Sequence, residues 1–218
     1  MNKLLITAAA VVFATSAFAT DLPSNKKAPA APAPVAAATT AAPASADSLT
    51  VQYGQDLGNN LGAKVDDQYT VSYKHVIGAG FSVGGQAQTT QEPNALLKQN
   101  LEAQAGYALP AMYGVGLSGK VGVGERFLDT GNFPYFALYG NADYKVMDGL
   151  TLNAVQYRYR SAIDSNQYGY QSHQLGTGIT YDITPTYSVS AKVTRSFDTS
   201  SNFNATGDAV VAGLTIKF

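Results

Sequence analysis

The sequence predicts an all-β chain: a closed antiparallel transmembrane β-barrel of about ten strands, preceded by a disordered Pro/Ala-rich tether. Three observations carry this reading. From Leu49 to Phe218 apolar residues recur with a period of two rather than 3.6. Aromatic residues on the apolar face gather beside short turns. The four prolines beyond the tether fall between the apolar runs, where a missing N–H costs no ladder bond.

The strands can be justified one by one. Leu49-Val51-Tyr53, Tyr69-Val71-Tyr73 and Phe81-Val83-Ala87 alternate with polar residues, as do Leu101-Ala103-Ala105-Tyr107 and Tyr113-Val115-Leu117-Val121-Val123. Phe136-Leu138-Ala142-Tyr144, Val155-Tyr157-Tyr159, Leu175-Ile179-Tyr181 and Tyr187-Val189-Ala191-Val193 continue the series. The tenth run is Val210-Ala212-Leu214-Ile216-Phe218. In the seventh, Leu150 and Leu152 have the wrong parity for Tyr157, which predicts a bulge near Asn153-Ala154. Short connections are expected at 78–80, 110–111, 148–149 and 184–185. Longer polar ones are expected at 57–66, 90–98, 127–134, 161–169 and 198–207, holding Pro93 and Pro134.

Alternation alone also suits a soluble sandwich. The aromatics separate the two. Tyr73, Phe81, Tyr107, Tyr113, Tyr144, Tyr181, Tyr187 and Phe218 share apolar-face parity beside a short turn or a chain end. In a closed barrel they form one interfacial ring, whereas a soluble core would not collect bulky rings at one end. Strands of about ten residues, tilted about 45°, also match a hydrocarbon band of about 25 Å.

Inward parity places six charges in the lumen: Lys74, Glu102, Lys120, Asp143, Arg158 and Lys192, with Arg160 near the outer rim. Charges are tolerated in a hydrated or ion-paired lumen and are costly facing lipid. Either these groups plug a narrow barrel, or they line a small passive pore whose positive excess favours anions. Eight strands leave room only for side chains and 16–18 leave an aqueous channel, so ten lies near the closed end. Inward glycines such as Gly84, Gly106, Gly122 and Gly178 free some volume.

Three segments are expected along the chain: a signal peptide at 1–19, a disordered Ala/Pro-rich periplasmic spacer at 20–47 and the barrel at 48–218. Lys3 begins a short positive region, Leu4 to about Ala14 is apolar, and Ala17-Phe18-Ala19 supplies a small-x-small cleavage site. The apolar run is too short to span a bilayer and Ser16 interrupts it. Pro29, Pro32, Pro34 and Pro43 break any Ala helix, so the spacer reads as extended chain reaching at most roughly 85 Å. It is either a spacer with possible cell-wall contact or a passive leader.

Composition excludes much of the remaining chemistry. The chain has 218 residues, a formal net charge of −1, no Cys and two His. That leaves no polybasic signature for nucleic acid, no thiolate metal site and no Cys nucleophile, and no cofactor is expected. Gly114-Val115-Gly116-Leu117-Ser118-Gly119 is a strand and matches no phosphate loop.

The N-terminal signal, the lack of Cys and the ending Val210-Val211-Ala212-Gly213-Leu214-Thr215-Ile216-Lys217-Phe218 together resemble the bacterial outer-membrane β-barrel proteins. Ile216 stands where many members carry an aromatic residue. Asp21-Leu22-Pro23-Ser24 is similar to the mature start of some proteobacterial porins. The resemblance implies outer-membrane lipid and lipopolysaccharide as surroundings, with periplasmic chaperones and the barrel-assembly machinery in transit. It makes Leu214, Ile216 and Phe218 the assembly signal. An even strand number puts both barrel termini on the periplasmic, short-turn side.

The expected role is structural or passive small-solute permeation through a narrow, porin-like lumen. The alternative is a surface adhesion or receptor barrel acting through loop aromatics such as Phe127, Phe133, Tyr168 and Phe203. An enzyme of the omptin type comes third: His75 and His173 fall at opposite ends, and adjacent Ser172 and His173 point to opposite faces.

Overall fold

Ten runs of alternating residues can satisfy every backbone donor only by pairing in a ring, since an open edge facing lipid would leave a row of unpaired groups. A computed structural model, which describes residues 47–91, 97–163, 170–199 and 203–218, has that arrangement. The strands are β1 (Ser48–Leu57), β2 (Lys64–Gly78), β3 (Phe81–Gln91), β4 (Lys98–Ala108) and β5 (Val115–Leu128). They continue with β6 (Gly131–Met147), β7 (Leu150–Ala162), β8 (Gln171–Asp182), β9 (Tyr187–Asp198) and β10 (Ala205–Lys217). Each pairs antiparallel with its sequence neighbours, and β1 closes the barrel against β10, with Ser48 opposite Lys217. The expected signal peptide at 1–19, and the spacer as far as residue 46, lie outside the described residues.

Facing follows parity. Leu101 is 60 % exposed while the adjacent Glu102 is 2 % exposed. Val51, Val71, Val121, Val123, Leu138, Leu175 and Leu214 line the outside with Leu101, whereas Thr70, Gln88, Asn100, Ser188 and Thr194 are buried inside. A barrel in water would turn this pattern inside out. A continuous apolar exterior over a polar interior is that of a barrel surrounded by lipid.

The predicted bulge is present. Ala142 pairs with Val155 and Asp143 with Asn153, so Ala154 is skipped, and the β7–β8 register shifts between Asn153 and Gln156. One extra residue there lets Leu152 and Val155 both face outward.

Two connections differ from the expectation. The segment 127–134 is not a long loop: Leu128 pairs with Gly131 across a two-residue turn, and β6 carries Pro134 opposite Glu125. Pro134 is accommodated because its carbonyl still pairs, accepting the Ile163 N–H at 2.9 Å. The polar composition of the segment concealed strands that run on past the apolar band. The β4–β5 connection is the longer of the two surprises, from Leu109 to Gly114. Its tip is a two-residue turn in which Tyr113 (φ 52°) and Gly114 (φ 80°) are both left-handed, closed by paired Met112 and Val115. Left-handed geometry at both central residues matches the twist of a hairpin. Tyr113 therefore stands 95 % exposed at a turn tip rather than on a strand. Pro93 lies outside the described residues, and Pro110 and Pro185 lie in connections.

Candidate functional site

One side chain spans the lumen. Arg160 leaves β7 and crosses the bore, donating from Nη1 to Gln88 Oε1 on β3 (3.2 Å) and from Nη2 to Glu102 Oε2 on β4 (3.3 Å). In a ring of ten, these partners are four and three strands away, close to diametric. The Arg160 and Glu102 side chains are almost wholly buried, at 3 % and 0 % exposure. Glu102 Oε1 also accepts from the Tyr139 hydroxyl and from Gln104 Nε2, each at 2.6 Å. The carboxylate is thus held by three donors, as a buried charge must be.

Two inward glycines of β5 explain why the crossbar fits. A Cβ at Gly122 would sit 2.6 Å from Glu102 Oε1, and one at Gly124 would sit 2.8 Å from the Tyr135 ring. The volume that these glycines free is therefore occupied by the cluster. Above it, toward the long-loop rim, an aromatic and guanidinium stack borders the bore. Arg160 lies over Tyr135 (5.2 Å), Arg126 lies over Tyr170 (4.6 Å), and Phe133 packs edge-on against Tyr170 (4.9 Å). Phe133 is buried within the barrel rather than exposed on a loop. Tyr168 lies outside the described residues.

Two cavities meet at this partition and share Gln68, Gln88, Arg158 and Gln174 on their walls. The outer one, about 300 Å³, mixes Asp56, Asp66 and Asp208 with Lys98, Arg126 and Arg160. The inner one, about 320 Å³, is lined by Lys74, Lys120, Arg158 and Lys192 and by no carboxylate. Of the charges expected in the lumen, Glu102 thus belongs to the crossbar, and these four cations to the inner chamber. Asp143, opposite Gly116, accepts from Asn153 Nδ2 at 2.9 Å and lines neither cavity.

Sequence reasoning did not single out Gln88, Gln104, Tyr135, Tyr139 or Tyr170. The first four have inward parity, so their facing was readable. Their convergence on Arg160 was not.

On the outside, Phe81 packs against Tyr107 (4.6 Å) and Tyr73 lies nearly parallel to Phe218 (6.4 Å). Tyr144 stands opposite Val115, Tyr181 opposite Leu150, and Tyr187 opposite Ile216. Leu214 pairs with Val51 and Val189, and the Phe218 N–H donates to the Asp47 carbonyl at 3.0 Å. A second set of exterior aromatics, Tyr53–Tyr69, Phe136–Tyr159 and His173–Phe203, was not anticipated as a group.

The two histidines have separate partners. His75 Nδ1 lies 2.7 Å from the Asp47 carboxylate, and His173 Nδ1 lies 2.6 Å from the Tyr157 hydroxyl. The Val76 N–H and His75 hold the Asp47 carboxyl below its ordinary range. Among the described residues no group of three or more His, Asp or Glu is placed to hold a metal.

No family model matches the chain, and no curated protein matches it. Among solved structures it is similar to the NanC porin, with a TM-score of 0.46 and 11 % identity over 78 % of this chain and 100 % of that one. It is similar also to the KdgM porin, with a TM-score of 0.43 and 12 % identity over 78 % and 99 %. For Neisserial surface protein A the TM-score is 0.36, with 15 % identity over 79 % and 96 %. Scores and identities this low carry no weight for function, and the barrel assignment rests on the strand pairing itself.

Proposed function

We propose that the chain is a bacterial outer-membrane barrel with a structural or passive permeation role, its resting bore set by the Arg160 crossbar. It is not an enzyme on this reading, and it needs no cofactor. The short-turn rim and both ends of the barrel face the periplasm. Residues 1–19 direct export, 20–47 form a periplasmic spacer, and Leu214, Ile216 and Phe218 are read by the assembly machinery.

The observation that carries the proposal is a polar lumen interrupted at one level by a single side chain spanning from β7 to β3 and β4. Ten strands leave a bore near the lower limit for solvent, so one guanidinium across it governs passage. Removing that group takes the spanning side chain out of the bore and leaves the strand pairing in place.

The test is single-channel conductance of the refolded barrel in a planar bilayer. The native chain should show very small steps or none, and Arg160→Ala should raise the step size several-fold. Silence from folded Arg160→Ala protein would refute a conducting lumen and leave a purely structural barrel.

A further inference from the structure

We propose that the inner chamber is a binding site for a small, multiply charged oxyanion. The site rests on the reading above of a polar lumen with a passive permeation role. Its four cations come from four different strands: Lys74 from β2, Lys120 from β5, Arg158 from β7 and Lys192 from β9. Around a ring of ten, the intervals between these strands are three, two, two and three. They encircle the space rather than forming a stripe along one wall. An anion at the centre would meet positive charge from every side.

The donors are uncommitted. Lys74, Lys192 and Arg158 make no hydrogen bond or ion pair with any described residue, and Arg158 Nε is buried without an acceptor. Lys120 gives one hydrogen bond, to Gln104 Oε1 at 3.1 Å, and lies over the Tyr139 ring at 4.8 Å. An unpaired buried donor carries a desolvation cost until an acceptor arrives. The carboxylate of the crossbar, Glu102, is already occupied by Arg160, Tyr139 and Gln104. The hydroxyl groups of Ser72 and Thr70 add neutral partners on the same walls.

Charge and donor count select the class of ligand. Three ammonium groups and a guanidinium favour an anion with several oxygen acceptors, as in a phosphate or a compact polycarboxylate, over chloride. A cavity of about 320 Å³ holds such an ion with some of its water and excludes a long polyanionic chain.

The experiment is equilibrium dialysis of radiolabelled inorganic phosphate against the refolded full-length barrel in zwitterionic detergent. Saturable binding of one phosphate per barrel is expected, displaced by citrate and only weakly by chloride. Lys192→Gln and Lys74→Gln should each weaken it at least tenfold, while Lys64→Gln, outside the chamber, should leave it unchanged. Folding of each variant is verified by circular dichroism. No saturable binding, or equal binding by Lys192→Gln and Lys74→Gln, would overturn the proposal. Phosphate binding to a barrel that never conducts supports the site and overturns the pore. Conduction without saturable binding does the reverse.

Discussion

The outer and inner halves of the lumen are built from the same parts and use them in opposite ways. At the partition a cation meets a carboxylate, Arg160 with Glu102, and on the barrel wall outside the lumen Arg195 Nε meets Asp208 at 2.7 Å. Asp208 also accepts the Leu61 N–H at 2.9 Å, tying the β1–β2 loop to β9 and β10. Below it, four cations share a chamber with no carboxylate on its walls. Paired charges inside a barrel lock strands together and close space. Unpaired ones leave space and a field, which stabilises nothing in the empty protein. The contrast separates the part that holds the barrel shut from the part that is available to a solute.

The strongest way to break this contrast is to remove the acid of the crossbar. Glu102→Ala leaves the Arg160 guanidinium buried without its counter-charge, and breaking one side of such a pair costs about 3–5 kcal/mol. The loss should appear as a lowered urea midpoint for unfolding from detergent or bilayer. A midpoint within experimental error of the native chain would mean that water already compensates Arg160, and the outer half would then be no more locked than the inner.

A smaller disturbance tests whether packing or charge matters more. Gly122→Ala keeps every charge and pushes a methyl group against the Glu102 carboxylate, because the Cβ would lie 2.6 Å from Oε1. Overpacking of this kind costs about 1–3 kcal/mol. The same substitution at Gly116, whose Cβ would meet nothing within 4 Å, should be nearly neutral. Equal effects at both positions would argue that strand propensity, not the crossbar, sets the cost.

How much of this was legible in the sequence depends on range. Period-two alternation is local, so the strands, the inward placement of Lys120 and Lys192 and the bulge beside Ala154 could all be read directly. The segment 127–134 misled because Asp129, Thr130, Gly131, Asn132 and Pro134 are residues of loops. Outside the lipid band, composition no longer distinguishes a strand from its connection. The same error hid the inward facing of Phe133. The crossbar was illegible for another reason. Arg160 and Glu102 are 58 residues apart, and inward parity says only that both enter the lumen. Which acid a long, flexible cation reaches is decided by closure of the ring and by the room left at Gly122, neither of which a single strand records.

The smallest expected effect is the most discriminating, because its sign reverses. Lys192→Gln removes one of four like charges from a chamber that has no acid to balance them. Like charges ~10 Å apart across a water-filled chamber repel by about 0.4 kcal/mol per pair, or about 1 kcal/mol for the three pairs that Lys192 makes. The substitution should therefore raise the urea midpoint slightly in phosphate-free buffer, where Glu102→Ala lowers it. Added phosphate should stabilise the native chain in proportion to the logarithm of its concentration above the dissociation constant, and the variant much less. Measured together, the two curves cross: the variant is the more stable protein without phosphate and the less stable one with it. A variant less stable under both conditions would mean that Lys192 holds the wall together, and the inner half would then be structural like the outer.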